Sequence, residues 1–132
     1  MKIKSKKNSF PFPFILDLLS GLDYEVKPMF GCHAIYSGQK ILIIVRKKDA
    51  HEESNGVWIA TDYTHHDSLR KTFSGLQSVS LLSGKGKETA WQMIAYSDNN
   101  FEEKVNLLCE LICKGDGRIG KVPKTKTSKK SR

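Results

Sequence analysis

Four groups of residues have the types that catalysis, metal binding or phosphate binding require. His65 and His66 stand between Asp62 and Asp67, a set that looks metal-like. Adjacent histidines on a helix project about 100° apart, however, and helical metal sites use i, i+4 pairs. Thr64 and Asp67 already fit a helix-capping pattern, so a solvated helix start is the better reading. Cys109 and Cys113 are i, i+4 on one helix and could share a ligand. A four-ligand zinc site would need a second spaced pair, and Cys32-His33 is adjacent rather than spaced. Core cysteines are therefore expected, with no metal and no cofactor. Cys32 and His33 could be a nucleophile and its base, but neighbours on a strand point to opposite faces. Gly84-Lys85-Gly86-Lys87 has the composition of a phosphate loop without the spacing or the Ser/Thr of a P-loop, and reads as a hairpin turn. No catalytic residue is assigned.

The elements that would position these residues follow from pattern. One hundred and thirty-two residues suffice for one domain with one core. Ile15, Leu16, Leu18, Leu19 and Leu22 give a short apolar helix near Phe14 to Ser20, with Gly21 as its C-cap. Ser37-Gly38 between two apolar runs is a hairpin signal, because Gly38 supplies the positive φ of a tight turn. Strands are expected near Phe30 to Tyr36, Lys40 to Arg46, Gly56 to Ala60, Leu76 to Leu82 and Ala90 to Tyr96. Lys47 to Asn55 reads as a charged loop. Helices are expected over His65 to Ser74 and Phe101 to Lys114, the latter behind a capping box at Asn100. The order α-β-β-β-α-β-β-α predicts a two-layer α+β fold on a five-stranded, mainly antiparallel sheet.

In the last helix Phe101, Val105, Leu108 and Ile112 form one stripe, which Leu107 and Leu111 widen beyond what a single sheet face needs. Two explanations stay open: a homodimer interface at Leu107 and Leu111, or cover from the first helix or the Phe10-Pro11-Phe12 arm. Of the aromatic residues, Trp58 lies in a run apolar on both faces and should be buried, whereas Trp91 is the better candidate for an exposed ring that stacks bases.

Charge is distributed unevenly. The net charge is +8. Four lysines precede residue 10, and Lys121, Lys124, Lys126, Lys129, Lys130 and Arg132 follow Gly120 with no acid among them. That leaves 12 of the 22 basic residues against 14 acids, a body near −2 between two basic tails. Residues 1–9 and 121–132 therefore read as disordered arms around a domain at 10–120. The six C-terminal cations are the candidate nucleic-acid contacts, non-specific and salt-sensitive. No apolar run approaches the roughly 20 residues of a membrane span, so no membrane partner is expected. Three cysteines without framework spacing, and lysines without a following apolar h-region, point to a soluble cytoplasmic protein.

The stretch Lys27-Pro28-Met29-Phe30-Gly31-Cys32-His33-Ala34-Ile35-Tyr36-Ser37-Gly38-Gln39-Lys40-Ile41-Leu42-Ile43-Ile44-Val45 resembles the opening of the TfoX N-terminal domain family. That family carries Met-Phe-Gly before a strand, a tight turn and a second apolar strand. The resemblance covers roughly Leu16 to Lys114. Cys32-His33 stands where the family usually has a second Gly and an aromatic residue. A looser resemblance is to the YjbR family, through a tryptophan on a late strand, here Trp91. The TfoX resemblance implies a layout similar to secretion chaperones and a non-enzymatic regulatory or interaction module with a protein partner, associated with competence control. Two alternatives accompany it: a weak nucleic-acid binder acting through its tails, and a small enzyme or ligand binder centred on Cys32, His33 and Tyr36.

Overall fold

The computed structural model describes residues 10–29, 31–79 and 90–122. In chain order the elements are α1 (Phe14–Leu18), β1 (Glu25–Met29), β2 (Cys32–Ser37), β3 (Lys40–Arg46), β4 (Gly56–Ile59), α2 (His66–Thr72), β5 (Gln77–Ser78), β6 (Gln92–Ala95) and α3 (Phe101–Cys113). The strands form one six-stranded sheet in the order β1-β2-β3-β4-β6-β5, every neighbouring pair antiparallel. The architecture is α+β, with six strands rather than the expected five.

The extra strand is β1, which the pattern concealed. Glu25-Val26-Lys27-Pro28-Met29 carries two charges and a proline, and four of its five residues are exposed. Proline is tolerated on an edge strand, where its missing N–H interrupts no ladder. Met29 pairs with Cys32, and Gly31, at φ 74°, stands between β1 and β2. Met29 thus ends one strand and Cys32 begins the next, so β2 does not start at Phe30, which lies outside the described residues. A two-residue turn, with Gly38 at φ 64°, joins β2 to β3 as expected. Leu42 is an extra residue opposite the Ile35–Tyr36 step. This bulge puts Leu42 and Ile43 on the same face.

The helices cover one face of the sheet. Ile35, Ile43, Val45, Val57, Ile59 and Ile94 meet Ile15, Leu19, Leu69, Phe73, Val105, Leu108 and Ile112 in the main core. Cys32, Ala34, Ile41, Ile44, Trp58, Ala60, Met93 and Ala95 form a second buried cluster on the other face. This explains why β3 and β4 read as continuous apolar runs. Trp58 is buried as expected, and Trp91 is only half exposed, its ring edge-on to Trp58 at 6.5 Å.

Helix starts differ from the capping-box expectations. Asp62, not Thr64, caps the turn that leads into α2, accepting from the Thr64 amide at 3.2 Å. Asp98 accepts from the Asn100 amide at 2.8 Å and pairs with Lys104 at 2.6 Å, while the Asn100 side chain makes no cap. Helix α1 ends at Leu18, before Gly21 is reached. Leu107 and Leu111 are half-buried against the main core of their own chain. Ile119 is buried, and Lys121 exchanges two backbone hydrogen bonds of 2.9 Å with Ile41. Lys121 thus has its backbone in the sheet, whereas Lys124, Lys126, Lys129, Lys130 and Arg132 fall outside the described residues. So does most of the Leu76 to Leu82 run, of which Gln77–Ser78 is a strand, and so does Gly84-Lys85-Gly86-Lys87.

Candidate functional site

Strands β2 and β3 are paired as far as His33 and Val45 and diverge beyond them. Between the diverging ends lies a cleft of about 230 Å³ lined by Pro11, Gly31, Cys32, His33, Val45, Arg46, Lys47 and Lys48. Three of these residues are cations in unbroken succession.

Arg46 organises this corner. The apolar alternation of β3 carries its side chain to the Ile44 face, where the residue is 5% exposed. Its guanidinium donates to the carbonyls of His51 and Ala50, each at 2.9 Å, and to Asn55 Oδ1 at 2.8 Å. Asn55 in turn accepts from the Lys48 amide and donates to the Lys48 carbonyl, both at 2.8 Å. Trp58 Nε1 donates to the Ser54 carbonyl at 2.9 Å. The stretch from Lys47 to Asn55 is therefore a folded strap pinned to the sheet end. These three acceptors are neutral oxygens, the Cys32 thiol also lies within hydrogen-bonding reach of the guanidinium, and no carboxylate among the described residues lies within ion-pair distance of it.

The Lys48 side chain turns back over the hairpin. A Cβ built on Gly31 would lie 2.8 Å from Lys48 Nζ, so the glycine leaves room for the ammonium as well as adopting positive φ. The ammonium meets no hydrogen-bond acceptor among the described residues. Lys47 points elsewhere, with Nζ 5.1 Å from the centre of the Tyr96 ring. Burial pushes the Cys32 thiol up from its ordinary pKa, against the opposing pull of Lys48 and Arg46. It is a neutral thiol at pH 7, not an activated thiolate.

Cys32 and His33 point to opposite sides of β2, as their adjacency requires. Cys32 belongs to the second cluster, and the His33 ring is edge-on to Phe10 at 5.5 Å. Tyr36, the third suspect on this strand, is not brought to the cleft; it stacks under Lys27 at 4.9 Å. No family model, curated protein or solved structure matches this chain.

The remaining candidates are dispersed. His66 is buried with Nε2 3.0 Å from the Ala90 carbonyl, and His65 lies 3.9 Å from Asp62. The Thr64 hydroxyl holds the Asp62 carboxyl below its ordinary pKa. Cys109 is buried and its thiol is pushed up to about 12, whereas Cys113 is exposed rather than in the core. Among the described residues no three His, Cys, Asp or Glu side chains converge, and no helix is long and apolar enough to cross a membrane.

Sequence reasoning missed Arg46, Lys48 and Asn55, taking the latter two into a charged loop. One signal was available. Arg46 follows five apolar residues and takes the place of the next inward-facing position on its strand.

Proposed function

We propose that this chain is a non-enzymatic interaction module, in keeping with its resemblance to the TfoX N-terminal domain family, and that it engages its partner at the cleft between β2 and β3. The supporting observation is the kind of group that the strap fixes there. Guanidinium and ammonium are donors with no acceptor atom. They suit recognition of an acceptor-rich or anionic group rather than general-base work at neutral pH. The neutral Cys32 thiol fits the same reading. The test is retention of a partner from native lysate, with nuclease present, by wild type and by Lys48→Gln. A protein retained by wild type and lost by the variant supports the reading. Retention indifferent to Lys48, or activity on a small substrate that depends on Cys32 or His33, overturns it.

The charge distribution favours a second reading, weak nucleic-acid binding through the tails. About four engaged phosphates would give a log–log salt slope near −3.6 on duplex DNA. Truncation at residue 123 spares the Lys121–Ile41 bridge and should remove most of this binding without unfolding the domain. Sequence preference between two unrelated duplexes would count against it.

A further inference from the structure

We propose that the cleft between Gly31–His33 and Arg46–Lys48 is a binding site for a small tetrahedral oxyanion of the phosphate class, held between the Lys48 ammonium and the Arg46 guanidinium. This deepens the reading above and rests on it for the site's place in the protein's function.

Three observations carry it. The first is uncompensated charge. A buried cation that lacks a counter-charge bears a desolvation penalty that hydrogen bonds to neutral carbonyls offset only in part. Among the described residues Arg46 has no carboxylate partner, only neutral ones. The strap's own acids do not complete it: Asp49, Glu52 and Glu53 are exposed, and Glu53 faces His51 at 3.8 Å. The second is approach. Lys48 Nζ is held over Gly31, on the rim of the same cleft. An anion entering there meets the Lys48 ammonium beside Gly31, in a cleft that Arg46 also lines. The third is size. A cleft of about 230 Å³ falls below the roughly 300–1,000 Å³ of pockets that enclose organic ligands. It suits one oxyanion, or one phosphoryl group presented by a larger molecule.

The experiment is an amide-resolved NMR titration of the full chain with inorganic phosphate, at constant ionic strength made up with chloride. Saturable shifts in the millimolar range are expected, concentrated in Gly31 to His33 and Arg46 to Lys48. Lys48→Gln is exposed and should fold normally; it should weaken binding about tenfold, as loss of a charge-assisted contact does. Lys71→Gln, an equal charge change at an exposed position of helix α2, should leave affinity unchanged. Arg46→Lys keeps the charge without the fork and should retain part of the affinity. O-phosphoserine as a second probe separates the sources. Matching shifts from it assign a phosphoryl group on a larger molecule; shifts from inorganic phosphate alone assign the free ion. Non-saturable or scattered shifts, equal weakening by Lys48→Gln and Lys71→Gln, or a response to duplex oligonucleotide alone would each overturn the site. If phosphate binds but no Lys48-dependent partner is found, the interaction reading fails and the site stands.

Discussion

Arg46 and Arg118 are both drawn largely out of water, and they are completed in opposite ways. Arg118 forms a fork with Asp116, its Nη2 2.7 Å from Oδ2 and its Nε 3.0 Å from Oδ1. It also donates to Ser68 Oγ at 2.8 Å and Thr72 Oγ1 at 3.0 Å, tying the turn after α3 to α2. Its charge is matched within its own cluster. Arg46 makes as firm a set of bonds, but among the described residues they go to neutral oxygens and the Cys32 thiol. The first is a closed lock. The second holds the strap equally well and belongs to a residue that lines a cleft, with no carboxylate partner among the described residues. The same residue type thus serves structure alone at one site and offers recognition at the other.

The largest expected effect is that of Arg46→Ala. It leaves three acceptors and a pinned strap without their donor, and should cost about 3 kcal/mol in urea unfolding. Asn55→Ala should follow at about 2 kcal/mol, since it removes both the Arg46 acceptor and the bonds to the Lys48 backbone. Arg118→Ala should cost about 1 kcal/mol, because that cluster is nearer solvent, where released groups rehydrate. A cost for Arg118→Ala equal to that of Arg46→Ala would erase the distinction.

Acid should separate the two clusters further. The Arg118 guanidinium holds the Asp116 carboxyl below its ordinary pKa of 3.8. A carboxylate with a depressed folded pKa stabilises fully above the unfolded value and loses that contribution as pH falls through the folded one. Wild type should therefore lose stability below about pH 4. Asp116→Asn should flatten part of that loss. Asp98, held low by Lys104, would account for more of it. Arg46→Ala should leave the acid slope unchanged, since no carboxylate among the described residues lies within ion-pair distance of Arg46. A changed slope in Arg46→Ala would mean that an acid completes that cluster after all.

How far these differences were legible in the sequence depended on range. The β2–β3 hairpin was readable because Gly38 and its flanking apolar runs are local. Helix α3 was readable because its stripe repeats at i, i+4, i+7. Strand β1 was not, because an exposed edge has no buried face to impose alternation, and Pro28 argues against a strand until the edge position is known. The caps at Asp62 and Asp98 were misplaced by two residues, since several Asp, Asn and Thr side chains near each helix start compete for the same amides. The cleft was least legible. Cys32 and His33 drew attention through their chemistry, but Arg46, Lys48 and Asn55 acquire theirs only from a strap that folds back on the sheet end.

The most direct test of an open charge at Arg46 and Lys48 is urea unfolding of wild type and Lys48→Gln, each in phosphate and in chloride at equal ionic strength. Phosphate stabilises folded proteins generally by exclusion from their surfaces, so the informative quantity is the difference between the two proteins. A bound anion adds RT ln(1 + [L]/Kd), about 1.4 kcal/mol at roughly ten times Kd. A variant that binds about tenfold more weakly gains about 0.4 kcal/mol at the same concentration, so wild type should be stabilised by about 1 kcal/mol more than Lys48→Gln. Equal stabilisation of both proteins by phosphate would contradict the account.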